Sequence, residues 1–266
     1  MDASAKKAAL RKATRATLRA LSAEFVTAAS ERACARAAKL TVSASAVSCY
    51  LAMPKAECVT TPLLEHLFAA GTRVYVPRVE GMGREDMRML HVSDAVALEA
   101  YPRSKWGIPE PTDEQAALMD DGLLSAAIDT VIVPAVAFDA SCQRLGQGKG
   151  YYDTWLEKLQ QTRALRGLRP ATTIGLGLQE QLVDEVPTDV HDVPLDYVCL
   201  PDALLRRSAP PAAAGVAGVA GAAEAAEAPA ALDGRALRPR KAKEAETLAP
   251  PAHPVHGHDT GLLPED

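Results

Sequence analysis

The run Thr130-Val-Ile-Val-Pro-Ala-Val-Ala-Phe138 leaves the chain few architectures. Its apolar, β-branched residues do not alternate with polar ones, so both faces of the strand they form must be covered. Strands of that kind belong to parallel sheets packed between helices. The surrounding sequence alternates accordingly. Lys6 to Arg19 reads as a basic helix, and Ser22-Ala-Glu24 as the N-cap of a second helix running to Lys39. Strands are expected at Ala46 to Leu51, at Arg73 to Val76 (ended by Pro77) and at Met87 to Val92, with a helix from Thr61 to Ala70 carrying Pro62 in its first turn. One helix is expected near Asp113 to Ser125, the buried strand at Thr130 to Val133, and further strands at Thr172 to Leu176 and Asp196 to Leu200. This order predicts an α/β fold: a single three-layer α/β/α domain over residues 1–205, with a mostly parallel, Rossmann-like open sheet.

The segment after the apolar strand is equally constrained. Arg144-Leu-Gly-Gln-Gly-Lys-Gly-Tyr-Tyr-Asp153 places glycines at 146, 148 and 150. They let the backbone take positive φ and turn its N–H groups toward one point, an anion nest. Arg144 and Lys149 flank the nest and Asp153 closes it, just where helical apolar spacing begins at Tyr152, Trp155, Leu156 and Leu159. Phosphate at a helix N-terminus is the natural occupant. Neither common nucleotide loop is present. Lys149 is followed by Gly150 where the P-loop requires Ser or Thr, and the third glycine comes one residue early for the dinucleotide fingerprint. By spacing alone the loop is also what a plain strand-to-helix turn looks like. The strand delivers Asp139 and the nest to the carboxyl edge of the sheet, where ligands of open α/β sheets collect.

The stretch from Pro134 to Asp153 resembles the signature of the 5-formyltetrahydrofolate cyclo-ligases, also called methenyltetrahydrofolate synthetases, which reads roughly P-G-x-A-F-D-x-x-G-x-R-L-G-x-G-x-G-Y-Y-D. Ala135 stands where that family usually has glycine, which is harmless if φ is negative. Ser141-Cys142-Gln143 replaces its usual small turn and is read as a surface turn. The likeness extends from Lys7-Ala-Ala-Leu-Arg11 through Ser104-Lys-Trp-Gly-Ile-Pro-Glu-Pro111 to His191-Asp-Val-Pro-Leu-Asp196, covering residues 6 to 200.

The resemblance implies ATP-dependent cyclisation of 5-formyltetrahydrofolate to 5,10-methenyltetrahydrofolate, with reduced folate and ATP as small-molecule partners. It implies that Lys7 and Arg11, spaced i, i+4 on one helix face, reach the triphosphate. Arg144, Gly146, Gln147, Gly148, Lys149, Gly150, Tyr151 and Tyr152 would surround the nucleotide, with Lys149, Arg144 and Tyr151 closest to the chemistry. Leu51, Glu57 and Trp106, with Lys149, Gly150 and Tyr151, would line the folate slot. Asp153 and Asp192 are the candidates for Mg²⁺, which usually takes one or two carboxylates and leaves its other positions to water and phosphate. Each has an ordinary alternative. Asp153 also fits an N-cap, Asp192 a turn, Glu57 a solvated charge, and Trp106 a loop anchor.

Composition limits the other readings. A net charge of −5 lacks the general basic face that nucleic acid requires. Five cysteines without a C-x-x-C pair indicate neither a disulfide framework nor a zinc ribbon, so a reducing compartment is expected and Cys142 is a bystander. No apolar run is long enough to span a bilayer, and a cytoplasmic monomer without nucleic-acid or membrane partners is expected. Six Lys and Arg between Lys6 and Arg19, with no acid between Asp2 and Glu24, also look like a mitochondrial targeting helix. The folded helix is preferred, with a mitochondrial fraction left open. Residues 206–266 contain no Phe, Trp or Tyr and are rich in Ala, Pro and Gly. They are read as a disordered tail, in which a transient helix around Glu224 and Glu227 or metal binding at His253, His256 and His258 would be incidental. Two other functions stay open at this point: a phosphosugar isomerase or CoA-transferase-like enzyme on a similar sheet, and a non-catalytic nucleotide or folate sensor.

Overall fold

The structure is a computed structural model that describes residues 2–54, 57–105, 107–189 and 192–208. Seven strands form one sheet in the order β3-β2-β1-β4-β7-β8-β9. The strands are β1 (Ala46–Cys49), β2 (Arg73–Val79), β3 (Met87–Val92), β4 (Thr130–Val133), β7 (Thr172–Leu176), β8 (Tyr197–Cys199) and β9 (Leu204–Arg206). β5 (Ala137–Phe138) and β6 (Arg144–Leu145) make a separate two-stranded piece. The five central strands from β2 to β8 are parallel, and β3 and β9 close the two edges antiparallel.

Alternate residues of each strand enter different cores. Val47, Cys49, Val74, Val76, Ile132 and Ile174 pack with buried residues of α2 (Ala23–Leu40) and α3 (Thr61–Ala69). Ala46, Tyr75, Val131, Val133 and Val198 pack with Trp155, Leu156 and Leu159 of α7 (Tyr151–Leu165). That is the three-layer arrangement expected from strands with two apolar faces. Chain direction across the sheet reverses at β1: β2 lies on one side and β4, β7 and β8 on the other. The carboxyl ends of β1 and β4 therefore flank the topological switch point, where ligands of open sheets bind.

Local chemistry explains the helices. Ser22 caps α2 by accepting from the Phe25 amide at 3.2 Å. α1 spans Ala3–Arg19 and buries Lys7, Thr14 and Leu18. Several elements depart from the sequence pattern. β2 continues through Pro77 to Val79, because Pro77 pairs with Met89 of β3 beyond the last β1 partner of the strand. A proline is tolerated where only one ladder remains. The single helix expected near Asp113 to Ser125 is two, α5 (Asp113–Leu118) and α6 (Gly122–Ser125). Asp120 and Asp121 between them are claimed by β3. The His91 amide donates to the Asp120 carbonyl, and the Asp121 carboxylate takes Arg88 at 2.8 Å while capping Leu123. The run Thr130 to Phe138 is broken into β4 and β5, the latter pairing with β6 outside the main sheet, and the short elements α4 (Ala95–Glu99), β6 and β9 have no counterpart in the pattern.

Ala135 is not among the positive-φ residues, so alanine there is unstrained. Cys142 is not in a surface turn. It has a φ of 61° and is fully buried, and burial together with Asp139 pushes its thiol up to about 11. The turn is organised by the Asp139 carboxylate, which accepts from the amides of Ser141, Gln143 and Val186 at 2.9 to 3.0 Å. β9 runs past the expected domain end at Leu205, and Arg207 adds an ion pair to Asp196 at 2.8 Å. Tail residues from 209 on, Trp106 and His191 lie outside the described residues.

Candidate active site

β4 and the β5/β6 piece lead to the glycine loop, whose end is the start of α7. Gly148 (φ 94°) and Gly150 (φ 74°) are left-handed. Among the described residues, none of the backbone N–H groups from Gln147 to Gly150 is paired with a backbone acceptor. Unpaired amides on such a backbone at the start of a helix of 15 residues form an anion-binding concavity. Lys149 is exposed beside it.

Arg144, the other flanking cation, is buried. It is 5% exposed, and its Nη2 donates to Asp153 Oδ1 at 2.5 Å. Its Cζ lies 5.9 Å from the centre of the Tyr152 ring, and a side chain on Gly146 would meet its Nη1 at 3.2 Å. Arg144 therefore supports the nest from within, its charge balanced by Asp153.

α1 brings three more cations. Arg11 Nε donates to the Gly146 carbonyl at 2.8 Å, and its Cζ sits 3.4 Å from where a Gly148 Cβ would be. Arg15, one turn further on, donates to the Gln147 side chain. Lys7 Nζ is bound by Asp189 at 2.8 Å and Asp192 at 2.5 Å. Burial lowers its pKa, but the two carboxylates outweigh that and raise it above the ordinary value, so Lys7 stays charged.

The loop after β1 forms the other wall. Leu51, Met53 and Glu57 line a groove of about 680 Å³ with Leu18, Leu64, Phe68 and Leu98. Glu57 is buried and accepts from the Met53 amide at 2.9 Å. Burial pushes its carboxyl up to about 7, against the opposing pull of the Met53 amide and the Gln147 side chain. Gln147 accepts from Arg15 on the nest side, and its side chain also favours the ionised form of Glu57 in the groove. Tyr152, expected among the nucleotide contacts, buries its hydroxyl without a hydrogen-bond partner among the described residues. Burial and the nearby Cys49 and Glu57 raise its pKa. Tyr151 donates from its hydroxyl to the Gly81 carbonyl at 3.1 Å, tying the β2–β3 loop to the nest.

Asp153 and Asp192 are each held by a cation, Arg144 and Lys7. Each spends one oxygen on these contacts, and the other, Asp153 Oδ2 and Asp192 Oδ1, has no protein partner among the described residues. No cluster of three or more His, Cys, Asp or Glu suited to a metal occurs among the described residues. The sequence pattern does not single out Arg15, Arg84 or Asp189. Arg15 does continue the i, i+4 spacing of Lys7 and Arg11, and Asp189 precedes Asp192 by three residues, so both carry a local signal. Arg84 sits in a hairpin loop with none.

Comparison with known proteins identifies the family. Residues 3–201 match the model of the 5-formyltetrahydrofolate cyclo-ligase family. A Schizosaccharomyces pombe protein described as a probable 5-formyltetrahydrofolate cyclo-ligase is 36% identical over 163 residues, covering 60% of this chain and 76% of that protein. The Mus musculus 5-formyltetrahydrofolate cyclo-ligase is 30% identical over 158 residues, covering 59% and 73%. The solved Aquifex aeolicus 5,10-methenyltetrahydrofolate synthetase superposes with a TM-score of 0.59 at 25% identity, covering 78% of this chain and 98% of that one. With the family model spanning residues 3–201, from α1 through β8 and both walls of the site, the chain belongs to the 5-formyltetrahydrofolate cyclo-ligase family.

Proposed function

We propose that this protein converts 5-formyltetrahydrofolate to 5,10-methenyltetrahydrofolate with consumption of one ATP, as a cytoplasmic enzyme. The observation that carries the reading is the junction at Gln147, where a phosphate-type nest with its cations meets an apolar groove containing a buried acid. An N5-formyl amide is a poor electrophile, and its oxygen leaves badly as hydroxide. Transfer of the γ-phosphoryl group to that oxygen releases ADP and gives an iminium phosphate. N10 then attacks the formyl carbon and loses its proton, and phosphate departs with the former formyl oxygen.

Such transfer is catalysed chiefly by positioning and charge neutralisation. Lys149, Arg11 and the amides of Gln147 to Gly150 are suited to the phosphates, with Lys7 and Arg144 holding Asp192 and Asp153 in place beside them. Asp153 and Asp192 would hold Mg²⁺, which neutralises phosphate charge when bound. The groove around Leu51 suits the folate ring system, and Glu57, titrating near neutrality, can donate or accept a hydrogen bond to the pterin. The basic helix α1 is built into the site through Lys7, Arg11 and Arg15, which supports its reading as a folded element. Purified protein mixed with 5-formyltetrahydrofolate and MgATP should develop the methenyl chromophore, and omitting ATP should abolish it. Binding of phosphosugars without any methenyl signal would favour an isomerase-like enzyme, and tight ATP binding without turnover a sensor.

A further inference from the structure

Arg84 lies at the tip of the loop between β2 and β3, far in sequence from the glycine loop, yet its guanidinium rests on it. The Nε atom is 2.9 Å from where a Cβ on Gly150 would stand, and Nη2 is 3.3 Å away. Gly150 has a φ of 74°, so the position is closed to a side chain twice over, by conformation and by Arg84. The arrangement repeats that of Arg11, whose guanidinium covers the other left-handed glycine, Gly148. Two planar cations from two different elements therefore flank successive turns of one nest.

The hairpin is fastened in this position by contacts that leave Arg84 itself uncommitted. Tyr151 holds the Gly81 carbonyl at 3.1 Å, Lys158 of α7 pairs with Glu85 at 2.9 Å, and the Asp86 carboxylate accepts from the Gly83 amide at 2.7 Å. Arg84 is exposed and has no hydrogen-bond or ion-pair partner among the described residues. An arginine held over unpaired amides, with its own donors unspent, is placed to receive an anion.

We propose that Arg84 is a further nucleotide-binding residue, which closes the hairpin side of the nest and contacts the polyphosphate bound there. The inference rests on the proposed reading of the nest as the ATP site. Calorimetric titration of MgATP into folate-free protein, wild type and Arg84→Ala, tests it without requiring turnover. Loss of charge-assisted hydrogen bonds predicts a Kd for MgATP raised about tenfold or more. In steady state the KM for MgATP should rise likewise, while the KM for 5-formyltetrahydrofolate and the Tm stay near wild type. Arg84→Lys, which keeps the charge but not the fork, should fall between. Unchanged MgATP affinity in Arg84→Ala overturns the proposal, and so does a rise confined to the folate KM, which would assign the residue to the other substrate. Should the wild type bind MgATP yet give no methenyl product, the reaction reading fails while the titration still decides the role of Arg84.

Discussion

Lys149 and Arg144 are the exposed and the buried cation of one nest, and they answer differently to substitution. Lys149→Ala removes a group with no hydrogen-bond or ion-pair partner among the described residues, so kcat/KM should fall by about a hundredfold or more while Tm stays put, and Lys149→Gln should be nearly as impaired. Replacing Arg144 strands the carboxylate of Asp153, so thermal melting should show a lower Tm together with lost activity. Near-normal turnover in Lys149→Ala would remove it from the chemistry. Glu57 makes a prediction about pH. Its folded pKa is raised from the ordinary 4.5 to about 7 by burial, so the folded state holds the proton more tightly than the unfolded chain. Its contribution is therefore fully present below 4.5 and is lost as pH rises through about 7. Denaturant titrations across that window should show stability falling with pH. Glu57→Gln should flatten the slope and raise the KM for folate; an unchanged slope would mean that Glu57 is solvated.

At the scale of elements, α1 meets Asp189 and Asp192 through Lys7, while Asp153 of α7 is paired with Arg144. If Asp153 and Asp192 share one Mg²⁺, Asp153→Asn and Asp192→Asn should each raise the Mg²⁺ concentration for half-maximal rate, with metal-free folate binding largely kept. An unchanged requirement in Asp192→Asn would reduce that residue to a partner of Lys7. The nest is legible in the sequence because its glycines, cations and helix start are contiguous. The i, i+4 pair on α1 is legible because helical spacing fixes which residues share a face. Features hidden from the sequence are those set by long-range contact. Asp120 and Asp121 break a helix because β3 binds them, and Arg144 turns inward because Asp153 is there to neutralise it. Arg84 reaches the nest only because a hairpin formed by residues 73–92 folds over it.

Over the whole molecule, the sheet reverses its winding at β1, so the β1 loop with Glu57 and the β4 loop with the nest open side by side. Both walls of the site are built from residues within 2–208. A chain ended after Ser208 should keep Tm and turnover, because residues 209–266 contain no aromatic side chain. Ending it at Leu205 should lower Tm by cutting β9 and losing the Arg207–Asp196 pair. Loss of activity on removing only residues 209–266 would show that they are part of the working enzyme. Delivery of a phosphoryl group from the nest to the formyl oxygen in the adjoining groove can be followed by labelling that oxygen with its heavy isotope and tracing it through one turnover with MgATP. One ADP should form per methenyl product, with the label recovered in inorganic phosphate. Label released to water, or ADP formed without methenyl product, would contradict phosphoryl transfer to the formyl group.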